Sequence, residues 1–321
     1  MRDRYLPLLA TVTVFVLVFA VGAVMFKHFL STNVVGDLLT DNAFIIIAAI
    51  GETFVILSGG IDLSVGSMIG FVGVVMAHLD TLGWHPLASG ALLIAFGVAF
   101  GAFQGLIIDF CEIQPFIITL AGLFLLRGAC FMVSLESVPV RHPFVSAFSD
   151  WHFSLGGGGR LSSSALVMLV ALAAGIVIAH FTRFGVNVYA IGGDRQSAVL
   201  MGVPIRRTTV MIYALAGFYN ALGGVVYAMY TASGYPLAGL GDELIAIAAV
   251  VLGGTLLTGG VGLVFGTLFG GLIQGLITTL VNFQGALTSW WATIFVGVLL
   301  FVFIAAQRTI MSSTLFLRRS V

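Results

Sequence analysis

Ten apolar runs separated by short polar stretches occupy most of this chain of 321 residues. Crossing a hydrocarbon core of about 30 Å takes about 20 helical residues, because lipid offers the backbone no hydrogen bonds. The runs therefore predict an all-α, polytopic transmembrane bundle of about ten helices, forming a single transmembrane domain over residues 1–321. The predicted spans are 5–26, 42–57, 66–80, 88–108, 114–134, 162–182, 208–231, 244–258, 262–281 and 290–307.

Composition excludes other classes. With 60% hydrophobic and 8% charged residues, the chain cannot be an ordinary soluble domain with a charged surface. The first run is too long for a signal-peptide core and lacks an AxA cleavage site, so we expect a retained helix. Cys111 and Cys130 lie in or beside apolar runs without metal spacing, so neither a disulfide framework nor a metal site is predicted.

Basic residues predict the topology. By the positive-inside rule, their three clusters place both termini and the central loop 183–209 in the cytoplasm, with six spans before that loop and four after it. On this count, residues 135–161 form the main external loop, a cap or docking surface. The clustered residues are Arg2, Arg4, Arg183, Arg195, Arg206, Arg207, Arg308, Arg318 and Arg319.

Residues 43–70 and 243–270 are two copies of one segment, with ten identities in 28 aligned positions at an offset of 200. The predicted spans give both copies the same direction, which makes this a parallel repeat. Polar chemistry survives in the first copy only, so we expect the first copy to line or gate the pore and the second to be packing scaffold. Leu252, Gly262 and Val264 replace Glu52, Asp62 and Ser64 in the second copy.

The first copy is interrupted by polar residues. The apolar runs 43–57 and 66–80 are each about 22 Å long as helix, too short to span comfortably. The intervening sequence SGGIDLSVGS has paired glycines, a carboxylate and capping hydroxyls, which predicts a segment broken at membrane depth. Such backbone must face protein or water. The candidate substrate-path residues are Glu52, Ser58, Asp62, Ser64 and Arg127.

Two roles remain open for these polar groups. Asp62 either caps the helix that begins near Gly66 or contacts the solute. Glu52 is protonated, paired or hydrated. An unpaired Arg127 would cost roughly 3 kcal/mol or more at membrane depth, so we expect an ion pair with Asp62 or Glu136.

The central loop 183–209 predicts a short helix that starts at Asp194 or Arg195, ends at Leu200 and is capped by the Asp194 carboxylate. Such an exposed element suits docking into a soluble partner, although a solvated connector would show the same pattern. The apolar side chains available for docking are Ala198, Val199 and Met201.

The sequence contains none of the common catalytic motifs that we considered. It contains no GxxxxGK[ST] phosphate loop, nucleophile elbow or HExxH motif, and Lys27 is its sole lysine. We therefore expect a transport protein, not an enzyme, with no nucleic-acid partner and with energy supplied by a partner or a gradient. A proton-coupled secondary carrier that uses Glu52 or Asp62 is the alternative.

Several phrases carry a family resemblance: VILSGGIDLSVGS, QPFIITLAGLFLLRG, RFGVNVYAIGGDRQSAVLMGV and VVLGGTLLTGGVG. They resemble permeases of bacterial ATP-binding-cassette sugar importers of the ribose and galactose type. Together with FQGALTSWWATI, they are particularly similar to a permease of galactofuranose importers. The resemblance covers nearly the whole chain.

The resemblance implies an inner-membrane subunit surrounded by lipid that forms half of a pore and works by alternating access. Its partners would be a second, non-identical permease, a cytoplasmic ATPase that binds ATP and magnesium, and a periplasmic sugar-binding protein. This chain would bind no cofactor. Family members commonly carry Asn at the position of Asp194, which affects only the capping detail. The residues that match the ATPase-coupling loop are Gly185, Ala190, Gly192, Gly193, Asp194, Ala198 and Gly202.

Overall fold

The computed structural model describes residues 2–27, 29–156, 158–285, 288 and 290–319. Within these ranges the chain is almost entirely helical. The helices are α1 (Arg2–Met25), α2 (Thr32–Asp41), α3 (Ala43–Leu57), α4 (Val65–Thr81), α5 (Pro86–Phe110), α6 (Pro115–Val133), α7 (Pro143–Asp150), α8 (Ser163–Phe181), α9 (Arg183–Gly193), α10 (Arg195–Leu200), α11 (Ile205–Thr231), α12 (Asp242–Leu252), α13 (Val264–Gln284) and α14 (Trp290–Arg319).

Four short strands form two antiparallel pairs at one end of the bundle. The strands are β1 (Val138–Pro139), β2 (His152–Gly156), β3 (Gly159–Ser162) and β4 (Ser233–Gly234). β1 pairs with β4, and β2 pairs with β3. Residues 135–161, the predicted external loop, thus contain β1, α7, β2 and most of β3.

Each predicted span corresponds to an apolar helix, which confirms the all-α membrane bundle. Among the described residues, six helices are long and apolar enough to cross a membrane alone, or seven if α2 and α3 form one span bent by 55°. The others are shorter, since α4 and the described apolar part of α14 have 10–17 residues and α12 has only 11. The count of ten is therefore approximate.

Helix α11 lies at the centre and packs against α3, α4 and α5. Small residues make this possible, because a Cβ added at Gly97 would meet the backbone of Gly217, and one added at Gly101 would meet the carbonyl of Tyr213. Close backbone approach of this kind is how helices associate in lipid, where apolar burial gives no driving force. The small-residue spacing of Gly97, Gly101 and Gly105 is thus a packing feature.

The two repeat copies run in the same direction. Helix α13 is antiparallel to α3 and also to α12, so α3 and α12, the first helices of the copies, are parallel to each other. This confirms the parallel repeat. Against α3, Thr267 contacts Thr53 and Gly271 contacts Ile46. Against α12, Gly266 contacts Gly253 and Gly270 contacts Ala249.

The second copy, which the sequence predicts to be packing scaffold, also contains a long non-helical break between α12 and α13. The predicted span 244–258 is wrong at its end, because α12 stops at Leu252 and α13 starts only at Val264. Gly254 follows with a φ of +90°, which side-chain-bearing residues rarely adopt, so the helix cannot continue. The two breaks also meet, since the Gly260 N–H donates to the Leu57 carbonyl at 2.8 Å.

Candidate functional site

The carboxylate of Asp62 is buried at the start of α4, where its side chain is 2% exposed. Its Oδ1 accepts hydrogen bonds from the Ser64 N–H at 2.8 Å and the Ser64 hydroxyl at 2.6 Å, and Oδ2 accepts one from Asn220 Nδ2 at 3.1 Å. These bonds hold the turn that leads into α4 and tie it to α11. In this conformation Asp62 therefore organises the break.

Glu52 on α3 completes a polar cluster that we define as Glu52, Asp62, Ser64, Gln104 and Asn220. Its Oε1 accepts from the Asp62 N–H at 3.2 Å, and Gln104 Nε2 on α5 donates to Ser64 Oγ at 3.4 Å. All five residues are buried, and Glu52 Oε2 and Asn220 Oδ1 have no hydrogen-bond partner among the described residues. The cluster joins α3, α4, α5 and α11 at the first break.

The two other candidates lie outside this cluster. Ser58 ends α3, and its hydroxyl donates to the Val55 carbonyl at 2.7 Å. Arg127 Nη1 donates to the carbonyls of Pro236 at 2.6 Å and Ala238 at 2.8 Å.

The expected ion pair of Arg127 with Asp62 or Glu136 is therefore wrong. Both ion pairs among the described residues instead involve Asp109. Carbonyls of a non-helical segment are not used in helix hydrogen bonds and can accept from a guanidinium, whereas Arg127 Nε has no partner among the described residues.

The central loop folds as predicted around Asp194. Helix α10 starts at Arg195, and Asp194 Oδ1 accepts from the Ser197 N–H at 2.6 Å. Hydrogen bonds from Ser197 lower the pKa of the Asp194 carboxyl, which stays ionised at neutral pH. Ala198 is fully buried, so its expected place on a docking surface is wrong. The exposed large apolar side chains of this loop are Val186, Val199, Leu200 and Met201.

Helix α9 touches both breaks. A Cβ added at Gly192 would collide with the Leu57 carbonyl of the first break and lie 2.6 Å from the Gly260 nitrogen of the second. Tyr189 donates its hydroxyl to the Gly262 carbonyl at 2.9 Å. The loop that the sequence singles out for partner contact is thus also the element on which the two breaks converge.

The remaining loop residues divide between packing and open surface. Gly185 is buried against the Ala179 carbonyl and Ala190 is half-buried, whereas Gly193 and Gly202 have no neighbour within 4 Å of an added Cβ. Gly202 has a φ of +78°, which explains glycine there.

Sequence reasoning missed Asp109, which ends α5. Its carboxylate pairs with Arg206 at 2.8 Å and Arg195 at 3.6 Å, linking α5 to α10 and α11. A lone acidic residue directly after the predicted span 88–108, on the side of the basic loop, was the available signal. These pairs are exposed on the arginine side and contribute orientation more than stability.

The chain is similar to permease components of membrane transport systems. Residues 34–304 match the family described as the permease component of the branched-chain amino acid transport system, and the chain belongs to this family. It is 54% identical to the inner membrane ABC transporter permease protein YjfF of Escherichia coli K12, over 96% of this chain and 93% of that protein. No solved structure matches.

More distant relatives import different sugars. The chain is 34% identical to the fructose import permease protein FruG of Bifidobacterium longum, over 96% of this chain and 92% of that protein. It is 36% identical to the ribose import permease protein RbsC of Escherichia coli K12, over 78% of each chain. The chain is thus a multi-pass inner-membrane permease component of the ABC sugar importer class, with no enzymatic relative among these.

Proposed function

We propose that this chain forms half of the translocation pore of an ATP-driven sugar importer and that its sugar is galactofuranose. The other half is a second, non-identical permease. A cytoplasmic ATPase binds ATP and magnesium, and a periplasmic binding protein delivers the sugar. The names of the relatives support sugar import, and the phrase-level similarity to permeases of galactofuranose importers supports the particular sugar.

The observation that carries this proposal is the contact of α9 with both breaks. Leu57 and Gly260 belong to different repeat copies, yet both lie against Gly192. An ATPase that holds α9 and α10 in two positions would move both breaks together. To bias the pore, the ATPase must bind the two conformations with different affinity.

The docking surface on the ATPase side is tested with Leu200→Glu. Leu200 is 88% exposed, so a charge there changes the surface and leaves the fold intact. The matched control is Leu82→Glu, 63% exposed in the turn after α4 at the opposite end of the bundle. We expect Leu200→Glu to abolish co-purification of the ATPase and ATP-dependent uptake, and Leu82→Glu to preserve co-purification. Normal ATPase assembly with Leu200→Glu would contradict the docking surface.

The energy source is tested by reconstitution. The complete assembly in proteoliposomes should take up galactofuranose only with ATP and binding protein. Uptake by the purified chain alone, driven by a proton gradient, would instead identify the secondary carrier that uses Glu52 or Asp62. Competition by ribose, fructose or xylose at equal concentration measures the specificity, and uptake of one of these in place of galactofuranose would overturn the sugar assignment.

A further inference from the structure

Residues 233–243, which we call the re-entrant segment, fold back along α4 after α11 ends. The segment begins in β4, where the Gly234 backbone abuts Gly73. Further along, the carbonyl of Ala238 lies against Gly70 and that of Gly239 against Gly66. The segment thus descends along α4 from its outer half to its first turn.

The depth of this descent follows from helix geometry. Gly66 lies fifteen residues before Thr81, the last residue of α4. At 1.5 Å per residue, Gly239 is about 22 Å below the outer end of that helix. Arg127, which binds the segment's carbonyls, is likewise inside the α6 span of 19 residues. Non-helical backbone therefore lies at membrane depth.

One edge of the segment is exposed at this depth. Pro236 and Ala238 are buried, with Arg127 on their carbonyls, whereas the alternate residues Tyr235 and Leu237 are exposed. The N–H groups of Leu237, Gly239 and Gly241 have no acceptor among the described residues. Hydrocarbon cannot satisfy such groups, so this edge must face water, a polar solute or a partner protein.

Two carboxylates at the end of the segment also indicate contact with water. Asp242 and Glu243 begin α12 and are partly exposed, and no hydrogen bond or ion pair joins their side chains to other described residues. The Glu243 carboxylate lies 2.5 Å from the position of a Cβ at Gly66, near the first turn of α4. The N-termini of α4 and α12 favour these negative charges, but at membrane depth the charged carboxylates also need water.

We infer that the re-entrant segment, and not the buried polar cluster around Asp62, lines the water-filled sugar path. The carboxylates of Asp242 and Glu243 are acceptors for sugar hydroxyl groups, and the Tyr235 ring offers an apolar face to the sugar's C–H groups. The inference rests on the proposed function, because sugar transport supplies the solute. Glu243, the first residue of the second repeat copy, thereby contributes to the path, so that copy is not only scaffold.

The path is tested by cysteine accessibility in the assembled transporter. In a Cys111→Ser and Cys130→Ala background, Leu240→Cys places a thiol on the segment at a side chain that is 67% exposed. The control is Val170→Cys, 64% exposed in the middle of α8, a regular helix that lipid can cover. A membrane-impermeant methanethiosulfonate is added to both faces during ATP turnover.

We expect Leu240→Cys to react at least about ten-fold faster than Val170→Cys, because the reagent enters water and not lipid. Equal reaction rates, or no reaction at Leu240→Cys, would contradict the inference that the re-entrant segment lines the water-filled path. Leu237→Cys repeats the measurement if Leu240→Cys does not assemble. Because no sugar is needed, this result does not depend on whether galactofuranose is transported.

The sugar contact is tested separately in the wild-type cysteine background. Glu243→Gln and Asp242→Asn keep side-chain size and should raise the KM for sugar uptake about ten-fold with little change in kcat, since each weakens a charge-assisted hydrogen bond. An unchanged KM would overturn the contact. A reactive Leu240→Cys in a transporter that imports no sugar would leave the path standing and reject the proposed function.

Discussion

At the scale of single residues, the polar groups inside the bundle differ in how they are satisfied. Asp62 is surrounded by three donor groups, whereas Asp242 and Glu243 have none among the described residues. A carboxylate with that many buried donors is structural, because moving it would leave each donor unsatisfied. This difference assigns Asp62 to the break and leaves the partly exposed carboxylates for the solute.

The structural role of Asp62 predicts an order among variants. Asp62→Ala leaves buried donors on Ser64 and Asn220 without an acceptor, at about 1–3 kcal/mol each. Asp62→Asn keeps one acceptor, and Asn220 can rotate its amide to present Oδ1, which has no partner among the described residues of the wild-type protein. The melting temperature in detergent should therefore fall much more for Asp62→Ala. Equal losses would show that the carboxylate charge, and not the acceptor count, is what matters.

Arg127 holds the re-entrant segment by two hydrogen bonds to carbonyls. Hydrogen bonds from a charged donor contribute about 1.5–3 kcal/mol each, so Arg127→Ala should destabilise the purified protein and increase hydrogen exchange in residues 233–241. Arg141→Ala is the control, because Arg141 is exposed and its side chain makes no ion pair among the described residues. Unchanged exchange in Arg127→Ala would contradict the anchoring role.

At the scale of elements, the recurring unit is a helix, a glycine-rich break and a second helix. In both copies the break follows a leucine, Leu57 or Leu252, and glycines with positive φ occur at Gly59, Gly254, Gly259 and Gly260. The two breaks are joined by a hydrogen bond and share α9 as neighbour. They therefore form one mechanical unit.

A pair of adjacent glycines in α9 tests this unit. Gly192→Ala would drive a Cβ into the Leu57 carbonyl, whereas Gly193→Ala meets nothing within 4 Å. Because backbone on both sides resists displacement, we expect Gly192→Ala to lower uptake strongly and to weaken stability by about 1–3 kcal/mol. Gly193→Ala should behave as wild type. The measurement is sugar uptake by the assembled transporter. Equal activity of the two variants would contradict a functional contact of α9 with both breaks.

At the scale of the whole molecule, the long antiparallel packing around α11 separates two ends. One end carries the loop with α9 and α10, and the other carries the hairpin of β2 and β3. The basic clusters predict that the first end is cytoplasmic.

This orientation is tested by thiol labelling of intact cells in the cysteine-free background. Gln196 on α10 and Phe153 on β2 are exposed, and they lie at opposite ends of the bundle. Phe153→Cys should react with an impermeant reagent in intact cells, and Gln196→Cys should react only after permeabilisation. The opposite labelling pattern would show an inverted topology, with the proposed ATPase-docking surface on the periplasmic side.

Much of the architecture was predictable from local signals. Apolar runs predicted the helices and their number, and the parity of that number agreed with the basic clusters and implied parallel repeat copies. The capping of α10 by Asp194 was predictable because it involves residues only three positions apart. The predictions that failed depended on distant contacts: the partner of Arg127 and the burial of Ala198.

The sequence by itself determined that this chain is a helical membrane protein with a duplicated segment, because lipid imposes helix length and apolarity on each span independently. Only the tertiary structure decided which polar groups are buried and which are exposed. Asp62 and Glu243 look alike in sequence, as carboxylates next to apolar runs. Packing brings Asn220 of α11 to Asp62, which Ser64 also contacts, and leaves Glu243 partly exposed at the start of α12, because contacts between elements far apart in the chain decide which carboxylate is buried.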